Sequence, residues 1–273
     1  MKPVPIEEDL LWVHLKEVPP FRALLRATES RLIRRYGKLN QPTIDLGSGD
    51  GHFASVAFDS PLPIGIDPDL GSLQEGRNRD RVRPLIAAQG GLLPLGTETI
   101  GSVVANSVLE HIPDLDTTLD EIHRVLKPGG DLILTTPSDH FGEMLFGSTL
   151  FRRARLRGLG VAYANWFNRH SRHFHTDSPQ VWKERLERHG FQQEASFYYF
   201  SAASHRVFDI AHYLSLPSLV TRRVFGRWVL FPDSWVQRLW YRFLKPFYDQ
   251  PAPAMGAYLL IHARKEEPRG IEE

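Results

Sequence analysis

The residues with the clearest chemical signature lie in the segment Thr43–Phe53, which reads TIDLGSGDGHF. Three glycines occupy alternate positions in it, and Asp45 lies two residues before the first of them. The apolar residues ahead of the glycines predict a buried strand that leads through a tight turn into a helix. Glycine adopts positive φ and has no Cβ, so a ligand can lie against the bare backbone of such a turn. The first N–H groups of the following helix are also unpaired. The segment therefore predicts a ligand-binding loop.

The spacing of these glycines argues against a dinucleotide site. A dinucleotide-binding loop needs the pattern G-x-G-x-x-G, with the pyrophosphate on the helix terminus. Gly47 and Gly49 fit this pattern, but His52 occupies the third glycine position and Gly51 comes one residue too early. We therefore expect the loop to bind a nucleoside ligand without phosphates rather than NAD.

The composition limits the classes of protein to consider. The 273 residues, 42% of them hydrophobic, suffice for one large α/β domain or a domain with an insertion. A net charge of +1 gives no general attraction to nucleic acid. The sequence has no cysteine, which excludes disulfides, thiolate metal sites and a cysteine nucleophile. It has no run of 18 apolar residues and no secretory signal pattern, so we expect a cytoplasmic protein.

Strands alternate with helices along most of the chain, which predicts a parallel sheet with helices packed on it. Helices are predicted at 21–33 (ending near Gly37), 72–81, 115–126 and 178–189, the last with Ser178 as its cap. Strands are predicted at 43–46, 64–66, 85–88, 102–105, 131–136, 191–200 and 257–263.

Five short motifs follow one another at regular spacing: Asp45–Gly51, Gly65–Asp67, Leu93–Leu95, Asn106–Ile112 and Leu126–Gly130. With these motifs the chain resembles the class I S-adenosylmethionine-dependent methyltransferases, most of all the group that acts on small molecules and lipids. The motifs cover 40–138, and a weaker similarity extends over 173–200 and 256–264. The resemblance implies a Rossmann-like seven-stranded sheet with helices on both faces, and S-adenosylmethionine as the cofactor.

The resemblance divides the chain into three parts. An N-terminal helical segment covers 1–40, the methyltransferase domain covers 41–200 and 255–265, and a mostly helical insertion at 201–254 precedes the last strand. Aromatic residues of the insertion, among them Trp228, Phe231, Trp235 and Phe243, are interleaved with Arg222, Arg223, Arg227, Arg238, Arg242 and Lys245. This mixture is typical of helices at a membrane surface, and equally of a packed cap over the binding cleft.

The resemblance also assigns the residues that bind the cofactor. Asp67, at a strand end 18 residues after Gly49, accepts hydrogen bonds from both ribose hydroxyls. Asp45 lies near the amino-acid end of the ligand, and the backbone carbonyl of Asn106 accepts from its ammonium group. The full predicted set is Asp45, Gly47, Ser48, Gly49, Gly51, Asp67, Pro68, Gln89, Gly90, Asn106, Ser107 and Leu109. Ser107 and Leu109 are expected to line the cleft.

Gln89 departs from the family pattern. It holds the place where the family usually has an aspartate that contacts the adenine amino group. Its side-chain carbonyl can still accept that hydrogen bond, without the assistance of a charge. The neighbouring Gly90 can donate from its backbone. The alternative is that Gln89 is an ordinary surface residue of the loop and does not contact the ligand.

Two groups of histidines bear on catalysis. His111 is the candidate general base, although many family members carry a histidine there whatever their chemistry, and a role in orienting the backbone is the alternative. His170, His173 and His175 form a cluster without an accompanying carboxylate pattern, so we predict no metal site. A solvated loop and a contact with an anion or with the substrate are the two alternatives for this cluster. An arginine run, Arg152, Arg153, Arg155 and Arg157, fits either a solvated helix face or a contact with phosphate or headgroups.

The sequence thus predicts a methyltransferase that acts on a small-molecule or lipid-like acceptor by direct methyl transfer, with peripheral membrane contact through 201–254. One alternative is a non-catalytic S-adenosylmethionine-binding protein. A nucleic-acid methyltransferase is disfavoured, because the sequence after the fourth strand is Asn106-Ser107-Val108-Leu109 rather than Asn/Asp-Pro-Pro-Tyr/Phe. We expect no nucleic-acid partner.

Overall fold

The computed structural model describes residues 6–35, 39–58, 63–78 and 84–267. The described residues include all seven predicted strands, joined in one sheet of order β3-β2-β1-β4-β5-β7-β6. The strands are β1 Thr43–Leu46, β2 Ile64–Asp67, β3 Leu85–Ala87, β4 Ile100–Asn106, β5 Leu126–Pro137, β6 Phe191–Tyr199 and β7 Tyr258–Lys265. The predicted seven-stranded α/β architecture is therefore confirmed.

The order of the strands creates a crevice next to β1. β1 pairs in parallel with β2 on one side and with β4 on the other, so the chain order reverses at this point. In open α/β sheets ligands bind at such a switch point, beyond the carboxyl ends of the strands. The glycine loop after β1 and the turn after β4 consequently lie side by side, as the sequence motifs require.

Helices cover both faces of the sheet, because neighbouring residues of a strand point to opposite sides. Val103 packs in one hydrophobic cluster with α5 and α9, whereas Val104 packs in another with α1, α2 and α10. The helices are α1 Leu10–Leu15, α2 Pro20–Arg34, α3 His52–Ala57, α4 Leu70–Asn78, α5 Leu115–Val125, α6 Phe141–Met144, α7 Phe146–Arg153, α8 Arg157–His170, α9 Pro179–Arg188, α10 Ala202–Leu214, α11 Pro217–Phe225 and α12 Trp235–Tyr248.

The segment 201–254 is helical, as predicted, and two of its three helices pack on the N-terminal helices. Phe208 of α10 meets Phe21 of α2 edge to face, with ring centroids 5.5 Å apart, and Leu244 and Tyr248 of α12 are buried in the same cluster. By contrast, every residue of α11 is partly or fully exposed. The segment is thus a packed cap along α10 and α12, and an open surface along α11.

Some predicted bounds differ from the structure. β5 begins at Leu126 rather than Asp131, because Leu126 pairs with Ile100 ahead of a register shift. The predicted ends of α2 near Gly37 and of α4 near residue 81 lie outside the described residues, as do 1–5 of the N-terminal segment. Within the described ranges, no helix is both long and apolar enough to span a bilayer.

Candidate functional site

The loop after β1 needs glycine for two separate reasons. Gly47 has φ 72° and Gly49 has φ 53°, and side chains other than glycine rarely adopt such values. A Cβ on Gly47 would also lie 2.3 Å from a methyl group of Val108. A Cβ on Gly49 would meet no atom of the described residues within 4 Å, so space for a ligand lies beside that glycine.

Asp67 connects the end of β2 to this loop. Its carboxylate oxygens accept hydrogen bonds from the Gly49 N–H at 2.9 Å and from the Asp69 N–H at 2.8 Å. Each carboxylate oxygen has a further lone pair. The side chain is therefore fixed in orientation while it can still accept hydrogen bonds from a ligand, as the predicted ribose contact requires.

Two cavities meet at the end of β1. The β2-side cavity, of about 780 Å³, is bounded by the ends of β2 and β3 and the start of α5. The cap-side cavity, of about 580 Å³, is bounded by α2, α6, α8 and the cap. Gly47, Ser107 and His111 line both. The other predicted residues separate, with Asp67, Pro68, Gln89 and Gly90 in the β2-side cavity and Asp45, Ser48, Gly49 and Asn106 in the cap-side cavity.

Two predicted contacts lie elsewhere. Leu109 does not line the cleft but is fully buried in the hydrophobic core, because a 3-10 turn over Leu109–His111 directs it inward. Gly51 is the N-cap of α3, and its N–H donates to the carbonyl of Ser48 at 2.9 Å. Gly51 shapes the loop without lining either cavity.

Asp45 is buried at the floor of the cap-side cavity. Its Oδ2 has no hydrogen-bond partner in the part of the chain that the structure describes, and neither has the hydroxyl of Ser48. Burial raises the pKa of Asp45 to about 7. A buried carboxylate oxygen without a donor is unfavourable, and a cationic ligand would relieve that cost. S-adenosylmethionine carries an ammonium and a sulfonium group, so these residues fit its amino-acid end.

The backbone carbonyl of Asn106 has a donor that the sequence did not predict. Arg26 of α2 donates to it from Nη1 at 3.2 Å, because α2 lies across the end of β4. The expected donor, the ammonium of the ligand, would have to share this carbonyl with the guanidinium.

Glu29 of α2 connects α2 to the end of β4 and to β6, and sequence analysis did not predict this role. The fully buried carboxylate accepts hydrogen bonds from Arg26, Asn106, Ser107 and Tyr199, all between 2.8 and 2.9 Å. A signal was present, because Glu29 falls on the helical stripe formed by Leu25, Leu32 and Ile33. A charged residue on an apolar stripe is unusual and implies buried partners.

The histidines do not form the predicted group. His170 and His173 line the cap-side cavity, whereas Nε2 of His175 donates to the carbonyl of Ile112 at 3.0 Å. His111 lies where the two cavities meet, and its Nδ1 is 3.1 Å from the carbonyl of Arg172. Burial lowers the pKa of His111, so the ring is neutral at pH 7 and can accept a proton.

Comparison with known proteins places this site in a family. Residues 21–196 match the model of the methyltransferase domain family. A demethylmenaquinone methyltransferase of Corynebacterium kroppenstedtii is 35% identical over 108 residues, which cover 39% of this chain and 45% of that one. A malonyl-[acyl-carrier protein] O-methyltransferase of Methylococcus capsulatus is 32% identical over 120 residues, 41% of each chain. The chain thus spans less than half the length of these relatives.

Solved structures share the fold. An S-adenosylmethionine-dependent methyltransferase of Thermotoga maritima, described as a possible histamine N-methyltransferase, superimposes with a TM-score of 0.54. The superposition covers 90% of this chain and 91% of that one, at 15% sequence identity. At such low identity the likeness speaks to the fold alone.

The first prediction concerns Asp67. Replacing Asp67 by alanine should weaken S-adenosylmethionine binding by about 1.5–3 kcal/mol, the range for hydrogen bonds to a charged group, or about tenfold to 150-fold in Kd. Calorimetry measures this, with NAD expected to give no signal for either protein. Asp69→Ala is the matched control, because the Asp69 carboxylate caps the next turn through Gly71 and Ser72. Equal affinity of wild-type and folded Asp67→Ala protein would refute the ribose contact.

The second prediction concerns pH and Asp45. Because its folded pKa of about 7 lies above the usual value, the native state holds this proton more tightly than the unfolded chain. The contribution of the protonated Asp45 carboxyl to the free energy of unfolding is therefore complete below about pH 4 and is lost as the pH rises through about 7. Asp45→Asn stays neutral, so its melting temperature should exceed that of the ligand-free wild type by more at pH 8 than at pH 5.

Ligand binding should show the opposite effect. The affinity of the wild type for S-adenosylmethionine should increase between pH 6 and pH 8 as Asp45 ionises, and that of Asp45→Asn should not. Calorimetry at both pH values, beside thermal unfolding, provides the check. A constant difference in melting temperature between the two proteins from pH 5 to pH 8 would contradict the assignment.

Proposed function

The chain belongs to the methyltransferase domain family, and from this premise we propose that it transfers a methyl group from S-adenosylmethionine to a lipid-like acceptor. The observation that supports this most is the meeting of the two cavities at Gly47, Ser107 and His111. The β2-side cavity carries the residues predicted for the nucleoside, and the cap-side cavity offers separate space for an acceptor. An acceptor in that space would lie against the amino-acid end of the donor.

The residues of the chain hold the reactants in line. S-adenosylmethionine supplies an electrophilic methyl group on a sulfonium centre. A lone pair of the acceptor forms the new bond to carbon, the electrons of the carbon–sulfur bond pass to sulfur, and the acceptor loses a proton. Asp45 and Asp67 orient the donor, so that most of the acceleration comes from alignment. His111, neutral and placed between the cavities, is the candidate to receive the proton.

The lining of the cap-side cavity favours an apolar acceptor with a negative or electron-rich polar end. Its aromatic side chains are those of Phe21, Phe53, Phe141, Phe167, Phe208, Trp228 and Tyr258. Two arginines of the same cavity flank one ring, with the guanidinium carbons of Arg22 and Arg222 5.1 and 5.7 Å from the centre of Trp228. Arg222 is paired with Glu75. The curated relatives, named for demethylmenaquinone and for a malonyl group on a carrier protein, support the same class of acceptor.

α11 supports a further part of the proposal, that the cap touches a membrane surface. Large apolar side chains are exposed along α11 and the start of α12: Leu216, Leu219, Val220, Val224, Phe225, Phe231, Trp235, Val236, Leu239 and Phe243. Exposed arginines lie among them, at Arg223, Arg227, Arg238 and Arg242. Because Arg222 and Trp228 of the same stretch line the cap-side cavity, a lipid-like acceptor would have a short path from the membrane into the cavity.

Turnover tests the proposed activity. Purified protein with S-adenosylmethionine should form S-adenosylhomocysteine only when an acidic-lipid or quinone fraction of a cell extract is added. Arg22→Gln should raise the KM for that fraction severalfold and change the Kd for S-adenosylmethionine less, because Arg22 flanks Trp228 in the cap-side cavity and is not among the residues that line the β2-side cavity. Tight S-adenosylmethionine binding without turnover in any fraction would instead favour a non-catalytic binding protein.

Liposome co-sedimentation tests the membrane contact. The protein should pellet with anionic vesicles at low salt, and less at 0.5 M salt, because each basic residue near such a surface contributes about 1 kcal/mol and salt screens it. The double variant Val220→Asp/Val224→Asp should reduce binding at least tenfold. Val161→Asp on α8 is the matched control, since Val161 and Val220 are 61% and 62% exposed. Equal loss of binding in the control, or none in the double variant, would refute a contact through α11.

A further inference from the structure

Three side chains with metal-ligating atoms converge on one wall of the cap-side cavity. Glu110 and His111 come from the 3-10 turn after β4, and His173 comes from the segment between α8 and α9. One ligand atom from each lies within 4.8 Å of the other two. All three residues line the cavity in which we place the acceptor.

Glu110 is buried without a full set of partners. The residue is 1% exposed, and its Oε2 has no hydrogen-bond donor among the residues that the structure describes. The other oxygen, Oε1, lies 3.8 Å from Nε2 of His111, too far for a hydrogen bond. Burial raises the pKa of Glu110 to about 8. The carboxylate thus keeps one buried oxygen that no donor of the described residues satisfies, although its backbone N–H and the charge of Arg26 favour its ionised form.

Each of the two imidazoles has a hydrogen-bond acceptor at Nδ1. Nδ1 of His111 lies 3.1 Å from the carbonyl oxygen of Arg172, and Nδ1 of His173 lies 3.3 Å from Oδ1 of Asn168. With an acceptor at Nδ1, each ring carries its proton there and leaves the lone pair of Nε2 unprotonated. An outer hydrogen bond of this kind fixes the tautomer of histidine ligands.

Backbone contacts hold the two segments together. The N–H of Phe174 donates to the carbonyl of Glu110 at 2.7 Å, and the ring of His173 packs edge to face on Phe141, with centroids 5.0 Å apart. The rings of His111 and His173 are 5.3 Å apart. Tertiary contacts therefore hold the two segments that carry the cluster in fixed positions.

We propose that Glu110, His111 and His173 bind a divalent transition-metal ion at the wall of the cap-side cavity. Two imidazoles and one carboxylate suit Mn²⁺, Fe²⁺, Co²⁺ or Zn²⁺ and leave coordination positions open on the cavity side. Ligand atoms about 2.1 Å from a shared ion lie about 3 Å apart, so binding requires modest side-chain rotation from the present separation. The positive charge of the ion would stabilise the ionised form of Glu110.

The site gives the acceptor a second point of attachment. This step rests on the proposed function: an ion facing the cavity would hold an oxygen of the acceptor close to the junction of the two cavities. In that arrangement His111 is a ligand rather than a base. An acceptor hydroxyl, made more acidic by the ion, would lose its proton to solvent before its oxygen takes the methyl group. The sequence alone predicts no metal, because no carboxylate pattern accompanies the histidines along the chain; Glu110 lies 63 residues before His173.

Metal binding to the chelator-treated protein tests the proposal without any need for activity. Titration with Mn²⁺, Co²⁺ and Zn²⁺, followed by calorimetry and by the visible spectrum of Co²⁺, should give one equivalent of bound metal. Glu110→Gln, which keeps the shape of the buried side chain, should weaken binding at least tenfold, and His173→Gln should do the same. His170→Gln is the matched control, because His170 lines the same cavity outside the cluster and stacks on Trp166.

Two readouts separate this proposal from the proposed function. Thermal unfolding verifies that each variant is folded, and calorimetry measures S-adenosylmethionine binding by the same metal-free protein. Wild-type protein that binds S-adenosylmethionine but takes up no more metal than Glu110→Gln would overturn the metal site and leave the methyltransferase intact. Metal uptake that depends on Glu110 and His173, without S-adenosylmethionine binding or turnover, would support the site and overturn the proposed function.

Discussion

The arrangement of the site depends on the buried carboxylate of Glu29. It joins α2 to the end of β4 through Asn106 and Ser107, and to β6 through Tyr199. Loss of one partner from a buried ionic network costs about 3–5 kcal/mol, since the remaining charge is left uncompensated. The network also fixes Arg26, whose guanidinium reaches the backbone of Asn106. The N-terminal helices are thus part of the site and determine which atoms at the end of β4 a ligand can reach.

The sequence predicts those parts of the fold and site that short segments specify by themselves. Glycines at alternate positions after an apolar run require a turn with positive φ, and Gly47 and Gly49 have it. Asp67 ends its strand and joins the same loop. The alternation of strands and helices, together with the family motifs, predicts the sheet, and its switch point then brings β1 and β4 side by side. Each of these inferences needs a local pattern and one general rule of α/β topology.

The remaining parts depend on contacts between residues far apart in sequence. Glu29 meets Tyr199 across 170 positions, and no spacing rule connects them. The direction of Leu109 depends on a single 3-10 turn, which buries it and leaves His111 facing the cavities. His173 was grouped with its neighbours in sequence, whereas its neighbours in space are Glu110 and His111. Sequence analysis singles out His173 but not Glu29, and the partners of both side chains lie on other elements.

Three buried acids near the ends of β1 and β4 differ in how fully their carboxylate oxygens are hydrogen-bonded. Glu29, Asp45 and Glu110 are all nearly inaccessible to solvent. Glu29 has four donors and holds helices and strands together. Asp45 and Glu110 each keep one oxygen without a donor among the described residues, and burial raises the pKa of both.

A fold that satisfies one buried carboxylate fully and leaves two others open towards a cavity carries a local cost at those two positions. Cations would relieve such a cost, as we propose for Asp45 with the ammonium or sulfonium of the methyl donor and for Glu110 with a metal ion held by two histidines. The hydrogen bonds that each acid accepts, rather than how deeply it is buried, therefore distinguish Glu29 from Asp45 and Glu110. Glu29 stabilises the site, whereas we propose that Asp45 and Glu110 bind ligands.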